Sequence, residues 1–91
     1  MSIRVTIPAP LRRFTAEEAE IEIEAKTIFE IISCMEEKYP GFRSRLCDEN
    51  GELKRFFNIY VDGEDIRFLE NLETKLGNGA EVSIIPAISG G

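Results

Sequence analysis

The chain contains no histidine among its 91 residues. That absence removes the commonest general base and the commonest metal ligand together, and with them every Ser–His or Cys–His nucleophile pair. Cysteine is scarce: Cys34 and Cys47 are too few for a disulfide-stapled secreted module, so free, reduced thiols are expected. Cys34 falls beside the apolar stripe of a helix, where packing is its expected role, and Cys47 has acidic neighbours that disfavour a thiolate. No apolar run approaches the ~18 residues that span a bilayer, and the opening segment MSIRVTIPAP has no signal-peptide features. A cytoplasmic, soluble protein is the expectation. Basic residues are outnumbered, 11 Lys and Arg against 17 Asp and Glu, for a formal charge of −6. That balance argues against nucleic acid and anionic membrane as partners. The pairs Arg12-Arg13 and Lys54-Arg55 read as solvated surface or as contacts to an acidic patch on a partner. Gly77-Asn78-Gly79 lacks the third glycine and the following helix of a dinucleotide fingerprint. Asp48-Glu49-Asn50-Gly51 places its glycine too early for a calcium loop and reads as a turn. The sequence offers no metal site, no bound cofactor and no internal catalytic site; it is not expected to be an enzyme.

What is present is the pattern of a small folded domain. Apolar residues make up 43% of the chain and charged residues 31%, enough for one core in a protein this short. Ile3, Val5 and Ile7 alternate with polar residues, and Pro8 and Pro10 then open a loop through Arg12, Arg13 and Phe14. A second strand alternates Ala19, Ile21, Ile23 and Ala25 with Glu20, Glu22 and Glu24, so one sheet face is dry and the other wet. The period then changes: Ile28, Ile31, Ile32, Met35 and Tyr39 form the stripe of an amphipathic helix. Thr27 and Glu30 have capping-box spacing at its start, and Pro40-Gly41 closes it. Residues 42–54 read as polar and turn-rich. Phe56 to Val61 reads as a third strand, Asp62-Gly63 as a hairpin into a short strand around Ile66 and Phe68, and Val82 to Ile85 as the last strand. Leu69, Leu72 and Leu76 suggest a brief helical turn or an apolar-anchored loop.

The expected class is α+β: a mixed four- to five-stranded sheet packed on one main helix, over residues 1–91 as a single domain. Residues 1–86 form the expected core and 87–91 an extended, flexible tail. On pattern alone a β-grasp is one of a few topologies with this order. Phe57, Ile59 and Val61 share one strand face; Phe56 and Tyr60 share the other. If the first set meets the helix, the second leaves an apolar platform, unless the 42–54 loop covers it.

The end of the sequence is unlike the rest. Glu81 is the last charged residue, and the sequence runs from Val82 to Gly90-Gly91 without another. Glycine has no Cβ and enters slots closed to other residues. Five extended residues reach about 17 Å, and the one functional group at the end is an α-carboxylate, ionised at pH 7 and unreactive until activated, most simply as an acyl-adenylate. Such a tail is a substrate for another protein's chemistry.

The strand Asn58 to Val61, the Asp62-Gly63 hairpin, Ile66-Arg67-Phe68, the helix exit Tyr39-Pro40-Gly41 and the ending VSIIPAISGG together resemble the MoaD/ThiS-like sulfur carrier proteins of ubiquitin-type β-grasp fold. The likeness covers essentially the whole chain and is strongest to the longer carriers of cysteine biosynthesis. Ser89 departs from the alanine common at that position. The resemblance implies that a ubiquitin-activating-type enzyme, using ATP and magnesium, adenylates the Gly91 carboxylate, and that a sulfur donor (a sulfurtransferase or desulfurase) then leaves a thiocarboxylate. An acceptor enzyme, such as a cysteine synthase or the large subunit of molybdopterin synthase, would receive the sulfur; a thiamin-type acceptor is a further possibility. Gly91 carries the sulfur, Gly90 gives clearance, and Ser89, Ile88, Ala87, Pro86 and Ile85 guide the tail. Phe56 and Tyr60, with Ile85, are expected to dock on the activating enzyme. The alternatives are a ubiquitin-like modifier joined to lysine through the same Gly-Gly, and a small subunit whose tail inserts permanently into a molybdopterin-synthase-like partner.

Overall fold

The computed structural model describes residues 2–87. Five strands, β1 (Ser2–Thr6), β2 (Glu20–Glu24), β3 (Phe57–Val61), β4 (Glu64–Asp65) and β5 (Glu81–Pro86), form one mixed sheet in the order β2-β1-β5-β3-β4. β1 (Ser2–Thr6) and β2 (Glu20–Glu24) pair antiparallel, with Ile3 opposite Ile23 and Val5 opposite Ile21. Every second residue of both is buried, the outcome of period-two alternation on a sheet with one covered face. β5 (Glu81–Pro86) lies between β1, to which it is parallel, and β3 (Phe57–Val61), to which it is antiparallel. The closing strand therefore sits at the centre of the sheet. This is the β-grasp that the sequence pattern left as one choice among several.

The helix α1 (Ile28–Lys38) buries Ile28, Ile31, Ile32 and Met35 in the same core as Ile3, Val5, Ile59, Val82 and Ile84. Thr27 caps it: its Oγ1 accepts from the Glu30 N–H at 3.1 Å. The reciprocal bond is displaced by one residue, Glu30 Oε1 accepting from the Lys26 N–H at 2.8 Å rather than from the cap itself. The Asp62-Gly63 turn follows the expectation, with φ of 49° and 90°, the positive pair that a two-residue hairpin requires.

Four local expectations are corrected. Residues 42–54 are not simply turns, because Phe42–Leu46 forms a short helix, α2. Gly41, at φ 99°, reverses the chain, and the Glu36 carboxylate accepts from the Gly41 and Arg43 N–H groups at 3.0 and 2.8 Å. Phe42 and Leu46, one helical turn apart, are then both fully buried. The loop after Pro8 is a 3₁₀ helix, Ala9–Phe14, in which prolines at the first positions cost no bond and Leu11 is anchored in the core. The strand around Ile66 and Phe68 is only Glu64–Asp65, β4. Asp65 Oδ1 accepts from the Arg67 N–H at 2.8 Å and turns Ile66–Phe68 into a 3₁₀ helix. Finally, Phe56 precedes β3, in a turn closed by the Phe57 N–H donating to the Lys54 carbonyl at 3.1 Å. A further 3₁₀ turn, Asn71–Glu73, matches the brief helical turn expected near Leu72. The structured part of Asp48–Gly51 is a turn as expected: Asp48 Oδ1 accepts from the Asn50 and Glu52 N–H groups at 2.8 and 3.0 Å.

Candidate functional site: the end of the last strand

Strand pairing brings the candidate residues to one end of the sheet. Ile85 lies opposite Asn58, and Pro86 opposite Phe57. The Ala87 N–H donates to the Phe56 carbonyl at 2.7 Å. Tyr60 faces Ser83, one step along the same sheet face as Ile85. Phe57, Ile59 and Val61 turn toward α1, with Ile59 and Val61 buried and Phe57 packed against the core. The opposite face carries Asn58 and Tyr60 with Ser83 and Ile85. Ile85 is 44% exposed and Phe56, in its turn beside Ala87, 66% exposed. The 42–54 segment does not cover this platform; Phe42, Leu46 and Cys47 go into the core on the helix side instead. Ile88, Ser89, Gly90 and Gly91 lie outside the described residues.

Arg67 carries no sequence signal of a site residue. Its guanidinium donates to Asn58 Oδ1 and, at 3.0 Å, to the Phe57 carbonyl, and it stands 3.7 Å from the Asp65 carboxylate. These bonds brace the first residues of β3 next to Ile85. The only sequence sign of it was its place within Ile66-Arg67-Phe68, which says nothing about reach across a sheet.

Other candidate chemistry is structural. Cys34 and Cys47 are free. Burial pushes the Cys47 thiol up, with Asp48 adding to the effect against the opposing charges of Arg43 and Lys54. Desolvation, not the acidic neighbours alone, keeps it protonated. Among the described residues there is no cluster of three or more His, Cys, Asp or Glu able to hold a metal ion, and no helix long and apolar enough to cross a membrane. The Glu36 carboxyl is held below its ordinary value by the Gly41 and Arg43 backbone N–H groups, and its role is to join α1 to α2.

Fold and strand end define the class: a ubiquitin-type β-grasp whose central strand leads out beside an open apolar platform. The model of the ThiS family matches residues 5–91. The sulfur carrier protein CysO of Mycobacterium tuberculosis is 40% identical over 93 residues, with 100% of both chains covered. A chain in the crystal structure of the Amycolatopsis orientalis BexX/CysO complex superposes with a TM-score of 0.90 at 39% identity, covering 98% of this chain and 99% of that one. Small archaeal modifier protein 3 of Haloferax volcanii is 32% identical over 65 residues, 71% of this chain and 70% of its own. The chain belongs to the ThiS family, among the MoaD/ThiS-like sulfur carrier proteins. Proteins of this kind are carriers and not enzymes.

Proposed function

We propose that the terminal carboxylate of Gly91 is the reacting group and that the folded body presents it to other enzymes. The family match running through residue 91, together with the full-length likeness to CysO, carries this reading. A ubiquitin-activating-type enzyme, holding ATP and magnesium, joins the carboxylate to the α-phosphorus and releases pyrophosphate. The terminal sulfur of a donor persulfide then bonds to the carbonyl carbon as the bond to AMP breaks, and a thiol attacks the donor's sulfur in the resulting acyl disulfide, so that the S–S bond breaks to leave a thiocarboxylate and a disulfide between the thiol and the donor. That sulfur passes to an acceptor enzyme. The full-length likeness to CysO favours an acceptor in cysteine biosynthesis over one making molybdopterin or thiamin. Phe56, Tyr60 and Ile85 dock on the activating enzyme, Pro86 leads the chain to its channel, Ala87, Ile88 and Ser89 thread it, and Gly90 passes the narrowest point. Residues 1–86 serve as the body and 87–91 as the tail. ATP-dependent loading and free thiols favour the cytoplasm as its compartment.

Deleting Gly91 tests the reading: ATP–pyrophosphate exchange by the activating enzyme and sulfur transfer should both vanish. Unchanged transfer by the shortened chain would overturn it. The likeness to small archaeal modifier protein 3 favours one second reading, attachment to lysine through the same adenylate. Lysine-linked conjugates on a denaturing gel would support that route.

A further inference from the structure

The last residues of β5 have a strand on one side only. β1 accompanies β5 from Glu81 to Ser83, whereas β3 continues beside it to Ile85 and Pro86. Beyond that, the Ala87 N–H donates to the Phe56 carbonyl at 2.7 Å. β3 is itself thinly supported here. β4 pairs with Tyr60 and Val61 alone, so among the described residues no strand lies against Phe57 and Asn58 on their far side. The strand that leads to the tail thus finishes in a two-stranded ribbon, an arrangement of marginal stability in water.

Arg67 stands where the missing strand would be. Its Nη2 donates to the Phe57 carbonyl at 3.0 Å, and its Nη1 donates to Asn58 Oδ1. Asp65 holds it twice, Oδ1 accepting from the Arg67 backbone N–H at 2.8 Å and Oδ2 lying 3.7 Å from Nη1. Asp65 is in turn paired through β4 with Tyr60. The guanidinium fork therefore ties β4 to the two residues that lie opposite Pro86 and Ile85. A lysine ammonium would carry the same charge without that fork.

We propose that Arg67 is a positioning residue for the chemistry at Gly91: by bracing Phe57 and Asn58 it holds Ile85, Pro86 and Ala87 in the arrangement that the activating enzyme receives. The inference rests on the carrier reading and adds to it a residue that acts through β3. Order present before binding need not be made during it, so loss of the brace falls on affinity and spares the chemical step.

Two measurements on the full-length chain test this. In the free protein, amide hydrogen exchange at Ala87 should quicken about ten-fold in both Arg67→Lys and Arg67→Met, and much less at Val5, between β2 and β5. In ATP–pyrophosphate exchange by the activating enzyme, both variants should raise KM for the carrier roughly ten-fold and keep kcat within about two-fold of wild type. Asp65→Asn keeps an acceptor for the Arg67 N–H but loses the charge beside Nη1; it should raise KM about three-fold. Melting curves above the assay temperature show that each variant is folded. A wild-type KM in Arg67→Lys beside a raised one in Arg67→Met would mean that the charge meets the enzyme directly, and overturns the brace. An unchanged KM in both, a loss confined to kcat, or unaltered exchange at Ala87 overturns it equally, and the carrier reading survives each of these results. A wild-type chain that supports no pyrophosphate exchange overturns both.

Discussion

The two faces of the sheet are built from the same strands and have opposite tasks. Toward α1 the strands place Ile3, Val5, Ile21, Ile59, Val82 and Ile84, all buried. Away from it the β1–β2 half shows glutamates and Arg4, and the β3–β5 half shows Asn58, Tyr60, Ser83 and Ile85, with Phe56 in the adjoining turn. The dry face is apolar throughout because burial stabilises it. The open face changes from charged to uncharged, with Tyr60 and Ile85 open to a partner, only beside the end of β5, and no folding requirement asks for that change. An apolar cluster at a strand end, bounded by polar surface, has the character of a contact site.

Substitutions on the two faces should therefore separate stability from function. The largest effect belongs to the dry face: Ile59→Ala should cost about 2–5 kcal/mol of stability, read by denaturant unfolding, while the folded fraction keeps its affinity for the activating enzyme. On the open face, Ile85→Ser should leave unfolding within about 1 kcal/mol of wild type yet weaken binding to that enzyme by about 2 kcal/mol, close to thirty-fold. Equal losses in both assays for either variant would break the contrast between the faces.

Two further substitutions sharpen it by touching neither face. Thr27→Ala removes the cap of α1 and should cost about 1 kcal/mol by denaturant unfolding, without altering partner affinity. Glu36 has the smallest expected effect. Its carboxyl ionises more readily folded than unfolded, where the ordinary value is 4.5. Its contribution to stability is then present above that value and is lost as pH falls through the lower folded one. Glu36→Gln should lower the melting temperature at neutral pH and narrow its gap from wild type in acid; a constant gap across pH would remove the ionic explanation.

What the sequence allowed, and what it withheld, follows from how local each signal is. β1, β2 and α1 announce themselves because period-two and helical alternation each persist over a full element, and Asp62-Gly63 because its backbone angles favour those residue types. The helix α2 escaped because its start is held by Glu36, a side chain from the preceding helix, and its apolar content is two residues in a polar stretch. Phe56 reads as strand because aromatic character continues into Phe57, whereas the Lys54 carbonyl closes a turn there. At the site, the uncharged ending and its glycines were visible as composition. The reach of Arg67 to the start of β3 was not, since it depends on the fold of the Asp65 turn rather than on local pattern.

Intact-mass spectrometry of the protein purified from its own cells, with fragmentation to place any modification, tests the central claim most directly. The account predicts a population heavier by the exchange of one oxygen for one sulfur, with the change on Gly91 alone. Unmodified protein only, from cells actively transferring sulfur, or sulfur placed on Cys34 or Cys47 instead, would contradict it.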